Sequence, residues 1–108
     1  MLVKSLPTCP VIVANDLTEL RELLHPQHDG ISIGYSLAHA VIRPGARSIR
    51  HHLEGASEVY YLLSGRGRMH IGEEVREVAA GDALLIPAGA VQFLENTGGE
   101  DLCFLAIV

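Results

Sequence analysis

Six histidines stand against a single lysine, Lys4, in this chain of 108 residues. Histidine is the commonest metal ligand and the side chain that titrates nearest neutral pH, so the surplus points first to metal or acid–base chemistry. Two segments have suggestive spacing. In residues 45–65, GARSIRHHLEGASEVYYLLSG, five residues separate Gly45 from His51, Glu58 follows His51 by seven, and six residues separate Glu58 from Gly65. In residues 81–96, GDALLIPAGAVQFLEN, five residues separate Gly81 from Pro87, two separate Gly89 from Gln92, and three separate Gln92 from Asn96. The motifs of other catalytic classes are absent: there is no GxSxG, no P-loop, no HExxH and no GxGxxG before a helix.

The elements that must position these residues read as strands. Residues 11–13, 31–42, 58–64, 68–71, 75–78, 83–86, 91–95 and 102–108 are apolar or β-rich runs. Turn signals such as Arg43-Pro44-Gly45, Gly72-Glu73, Pro87-Ala88-Gly89 and Asn96-Thr97-Gly98-Gly99 separate most of them. Short strands at this spacing indicate an all-β sandwich or barrel, and the lack of βαβ alternation argues against a doubly wound sheet. Residues 16–25 are ambiguous. Asp16 with Glu19 resembles a capping pair, and Leu17, Leu20, Leu23 and Leu24 suit one helix face. Residues 25–30, with Pro26, Asp29 and Gly30, read as a turn, and His25 and His28 flank it as solvated side chains.

The two spaced segments resemble the paired motifs of the cupin superfamily. The first family motif is Gly, five residues, His-x-His, three or four residues, Glu, six residues, Gly; the second is Gly, five residues, Pro-x-Gly, two residues, His, three residues, Asn. The glycines, His51, Glu58, Pro87, Gly89 and Asn96 fall in register. The resemblance covers residues from about 34 to 108 and implies an all-β, double-stranded antiparallel β-barrel of the jelly-roll kind. On this reading residues 1–108 form a single domain, with 1–30 as an N-terminal strand extension and 31–108 as the barrel core. It also favours strand over helix for residues 19–24.

The resemblance further implies one divalent transition metal (Zn, Fe, Mn, Ni or Cu) in the barrel mouth, with His51, Glu58 and Gln92 at ligand positions. Two departures stand out. The second histidine of the His-x-His pair falls on Leu53, which binds no metal, and the second-motif histidine falls on Gln92, whose carbonyl oxygen is a weaker donor than imidazole. Phosphomannose isomerases, related by fold, place a glutamine on their zinc. His52 is the remaining candidate ligand. It points away from His51 on a regular strand, and inward only if a bulge follows the turn. His39 is open between the cavity and the surface, and the face of His70 is undetermined. Without a metal, His51 and Glu58 would be a hydrogen-bonded pair at the barrel mouth, because an ionised carboxylate in an apolar interior needs a partner.

Tyr60 shares the parity of Glu58, and these two are the candidate catalytic groups, Glu58 as ligand or general base and Tyr60 as a hydrogen-bond donor. Arg47, Arg50, Arg66 and Arg68 form a basic cluster, either a solvated rim or a means of attracting an anionic ligand. Three functions follow: a metal-dependent dioxygenase, isomerase or lyase acting on a small molecule; a non-catalytic small-molecule-binding barrel with a degenerate or absent metal site; or a bare structural homodimer.

The remaining expectations follow from composition. A formal charge of −5 is the wrong sign for a nucleic-acid binder. An apolar fraction of 48% with 19% charged residues excludes a disordered chain. No segment reaches the length of a membrane span, the N-terminus is a poor signal peptide, and Cys9 and Cys103 show no zinc spacing. The expected protein is cytoplasmic, with reduced cysteines and a homodimeric state by family habit.

Overall fold

Along residues 58–62 and 66–69 buried side chains alternate with more exposed ones, the period-two signature of a sheet with one face on a core. The computed structural model describes residues 1–13 and 18–108. Its strands are β1 (Ile12–Val13), β2 (Glu19–Leu24), β3 (Leu37–Ile42), β4 (Glu58–Ser64), β5 (Arg66–Ile71), β6 (Glu74–Ala79), β7 (Ala83–Ile86), β8 (Gln92–Asn96) and β9 (Leu102–Ile107). A six-stranded sheet has the order β1-β2-β3-β9-β4-β7, and a three-stranded sheet the order β6-β5-β8. Every pairing is antiparallel. The all-β jelly-roll architecture is therefore as the sequence implied.

One apolar cluster joins the two sheets. Ala40, Ile42, Tyr60, Leu62, Leu102 and Phe104 enter it from the large sheet. Met69, Val78 and Leu94 enter from the small one. On β4 the inward set is Glu58, Tyr60 and Leu62, whereas Tyr61 and Leu63 lie exposed on the other face. The segment between β3 and β4 crosses to the small sheet through two isolated bridges, Arg47 with Glu95 and His51 with Gln92.

Residues 19–24 form a strand, not the helix that their leucine spacing suits. Pairing settles the matter, because Glu19, Leu20, Arg21 and Glu22 lie opposite Val41, Ala40, His39 and Ala38 of β3. The ladder satisfies the backbone in a sheet whatever the local pattern prefers. Asp16 and Leu17, part of that helical reading, lie outside the described residues. Arg43 anchors the arm, with Nη2 donating to the Glu19 carboxylate at 2.9 and 3.0 Å and Nη1 donating to Asp101. Cys9 and Cys103 are both free thiols. Among the described residues no helix is long and apolar enough to cross a membrane.

Candidate functional site

The site starts from a two-way backbone bond. The His51 amide donates to the Gln92 carbonyl at 3.0 Å, and the Gln92 amide donates to the His51 carbonyl at 2.8 Å. Directly opposed residues in such a pair put their side chains on the same face. β4 delivers Glu58 and, two residues on, Tyr60 to the same interior. The four side chains meet around the Gln92 amide. Its Nε2 lies 2.7 Å from His51 Nε2, 3.1 Å from Glu58 Oε1 and 3.0 Å from the Tyr60 hydroxyl. His51 Nε2 and Glu58 Oε1 are 3.8 Å apart. His51 Nδ1 lies 2.7 Å from the Ile49 carbonyl, which only accepts, so Nδ1 carries a proton and in the neutral ring Nε2 turns its lone pair toward the cluster.

Donors and acceptors do not balance here. A primary amide has two N–H bonds, and three acceptors surround this one. Gln92 Oε1 is meanwhile buried with no partner, in a residue only 1% exposed. Turned over, the amide would aim Oε1 at the imidazole lone pair and the carboxylate, an arrangement that hydrogen bonding alone disfavours and that only a cation between them would stabilise. Three electron-rich atoms then converge on one point, which a cation stabilises. Donors bound to a divalent ion at about 2.0–2.2 Å stand roughly 3–3.5 Å apart, and the three separations here straddle that range. The residues present therefore fit a divalent metal held on His51, Glu58 and Gln92.

Burial pushes the Glu58 carboxyl above the usual carboxylate range, while His51 and the hydrogen bonds from Tyr60 and Gln92 partly offset this. Burial, with the Glu58 charge beside it, drives the Tyr60 phenol far above its ordinary value, so it remains a proton donor at any physiological pH. A folded-state pKa above the unfolded one makes stability fall with rising pH. The cost is absent below the unfolded value of about 4.3 and complete above the folded one. Glu58→Gln is thus expected to raise the thermal midpoint of chelator-treated protein at pH 7, with the gain fading toward pH 4. Melting curves across that range check it, and a gain independent of pH would refute it.

A cavity of about 270 Å³ opens beside the cluster. Leu20, Ile49, Phe104 and Ala106 form its apolar wall, and His51, Glu58 and Tyr60 its polar end. Among the described residues no arginine or lysine lines it, and of the lining groups described Glu58 is the one that carries a formal charge without protonation. Leu53, at the family's second histidine position, shares with Glu58 and Gln92 a crevice too tight for a water molecule.

The other candidates lie elsewhere. His52 is half exposed and reaches Glu54 at 3.2 Å, so the structure does not bring it to the cluster; the segment keeps the regular alternation that sets it opposite to His51. His39 has the parity opposite to buried Ala40 and Ile42, and burial with neighbouring Arg21 lowers its pKa. His70 faces outward, stacked on Phe93 at 4.0 Å and bonded to Glu95. The arginine cluster is likewise external. Arg47 and Arg50 lie over the Phe93 ring, and Arg68 pairs with Glu77 at 2.8 Å. Sequence reasoning missed a second group of donors, Glu22 with His25 and His28, at the end of β2.

Known proteins agree with this architecture. An uncharacterised protein of Methanocaldococcus jannaschii is 36% identical over 94 residues, covering 86% of this chain and 74% of that protein. An oxalate-binding protein of Thermotoga maritima is 38% identical over 65 residues, 60% of this chain and 54% of that one. The crystal structure of a predicted oxalate decarboxylase from Thermotoga maritima superposes with a TM-score of 0.84 at 28% identity, covering 99% of this chain and 96% of its own. The cupin domain family profile matches residues 38–108, which include both spaced motifs and all four clustered side chains, and the chain belongs to the cupin family.

Proposed function

We propose that this protein binds a small organic acid in its barrel through a divalent metal held by His51, Glu58 and Gln92. The observation behind it is the Gln92 amide, with three acceptors around two N–H bonds and a buried oxygen without a partner. A bound divalent ion supplies positive charge that holds and polarises an oxygen ligand. The chain's own residues do the rest. His51 is oriented by its Nδ1 bond to Ile49, the outer contact that fixes tautomer and raises ligand basicity. Tyr60 stays protonated and offers a hydrogen bond to an oxygen bound beside Glu58. Leu20, Ile49, Phe104 and Ala106 exclude water and limit the occupant to roughly the cavity volume of 270 Å³.

A carboxylate suits this pocket only when the metal is present, because the described wall residues include no lysine or arginine and Glu58 would repel it. The Thermotoga maritima relatives, one named for binding oxalate and one as a predicted oxalate decarboxylase, support a short carboxylic acid as the ligand class. Binding without turnover is the second reading. It is favoured by Glu58, which is buried at 7% exposure and would itself be committed to the metal, and so is poorly placed as a mobile base. Tyr61, Leu63 and Leu85, exposed on the outer face of the large sheet, are consistent with the expected homodimer.

Metal analysis of tag-free protein tests the proposal, with oxalate binding followed by calorimetry. The expected result is about one His51-dependent equivalent of a divalent transition metal, which His51→Ala removes together with oxalate binding whatever metal other residues hold. Folded protein that takes up no metal at His51, or that binds oxalate equally well in chelator, would overturn it.

A further inference from the structure

We infer that the N-terminal arm holds a second divalent-metal site, on Glu22, His25 and His28, independent of the barrel. One ligand atom from each of the three lies within 4.8 Å of the others. One pair is already joined: His28 Nδ1 and Glu22 Oε2 are 2.7 Å apart. Two imidazoles and a carboxylate are a donor set for zinc, cobalt, nickel or copper, whereas calcium and magnesium prefer oxygen alone.

The local backbone holds the three residues together. β2 bulges between Glu22 and Leu24 in its pairing with β3, and bulges re-aim the side chains beside them. The chain then turns at once. The Asp29 amide donates to the His25 carbonyl at 2.9 Å, and the His25 amide donates to Asp29 Oδ2 at 2.9 Å. Asp29 Oδ1 accepts from Lys4 Nζ at 2.7 Å, which ties the turn to the N-terminal segment. His25 is held in turn, because its Nδ1 accepts the Gln27 and His28 amides at 3.2 Å each. The two rings stack with centroids 4.0 Å apart and planes 15° from parallel. Metal binding takes the place of the hydrogen-bonding proton between His28 and Glu22, releases any proton on the ligating nitrogens, and turns one ring so that both lone pairs converge. His28 is 62% exposed at its side chain, so the open positions go to water or to an incoming ligand.

Glu22 and Leu20 share one strand, and Leu20 lines the barrel cavity. An ion at the arm therefore fixes the end of an element that walls the other site.

The test is a Zn²⁺ titration of chelator-stripped, tag-free protein by calorimetry, repeated with Co²⁺ by absorption. The wild type is expected to bind one equivalent that survives His51→Ala and is lost in His28→Ala. Glu22→Gln is expected to weaken that equivalent by at least about tenfold, the lower end of the cost of removing even an outer-sphere partner. Circular dichroism shows that each variant is folded; should His28→Ala fail it, His28→Gln replaces it. Binding unchanged in both His28→Ala and Glu22→Gln would overturn the inference, as would a wild type whose whole uptake vanishes in His51→Ala. A barrel that takes no metal leaves the arm equivalent in place, so the two proposals fail separately.

Discussion

Gln92→His is expected to tighten metal binding in the barrel about 10- to 100-fold without unfolding the protein. Among the donors at this site the amide carbonyl is the weakest for a transition metal. It is also ambivalent, since the same side chain can present N–H bonds and repel the ion. The contacts at 2.7, 3.1 and 3.0 Å are all made by its Nε2, so the amide presents N–H bonds where an ion would need its oxygen. An imidazole offers a lone pair of higher affinity and removes the partnerless buried oxygen. The backbone is already paired for it through the two amide bonds with His51. Competition against a chromophoric chelator reads the affinity, with Zn²⁺ and Co²⁺ as probes. A folded Gln92→His protein with unchanged affinity would mean that position 92 does not face the ion.

Gly65→Ala is expected to cost about 3 kcal/mol and lower the thermal midpoint by roughly 10–20 °C. Two effects add. Gly65 has φ +85°, a left-handed conformation that costs a Cβ-bearing residue about 1–2 kcal/mol. A Cβ there would also lie 2.6 Å from the Asp101 carbonyl oxygen and 3.0 Å from the Leu102 Cα. Both are backbone atoms at the start of β9 and cannot swing aside, so overpacking adds about 1–3 kcal/mol. Gly45→Ala is the control. Its φ of +80° is similar but nothing lies within 4 Å of the added carbon, so only the conformational cost of about 1–2 kcal/mol remains. Equal midpoints for the two variants would show that β9 yields to the intrusion.

Much of this molecule is legible in its sequence. The β-rich runs closed by glycine and proline give strands because such residues fit a pleated surface and such turns need left-handed or fixed φ. The positions of His51, Glu58 and Gln92 in spaced motifs anticipate their meeting, and the parity of Tyr60 anticipates its burial. What escapes depends on register. His70 faces outward because Gly67 and Met69 point in, and nothing local says which alternate set is apolar enough to win. The leucines of residues 19–24 have helical spacing, the family resemblance favours a strand there, and pairing with β3 makes it one. Glu22, His25 and His28 meet through a turn that Pro26, Asp29 and Gly30 announce and a bulge that nothing in the sequence announces. The Gln92 imbalance requires counting protons in three dimensions.

The paired backbones of His51 and Gln92 bear on descent as well as on binding. The two amide bonds that join them involve no side-chain atom. A lineage can therefore exchange histidine for glutamine, or the reverse, through changes at single codons while the scaffold keeps its place. Leu53 fits the same pattern, since its carbonyl accepts the Gly89 amide at 2.7 Å whatever its side chain is. Inheritance of the barrel and inheritance of its chemistry are thus separable, and relatives with one fold are free to diverge in what they hold.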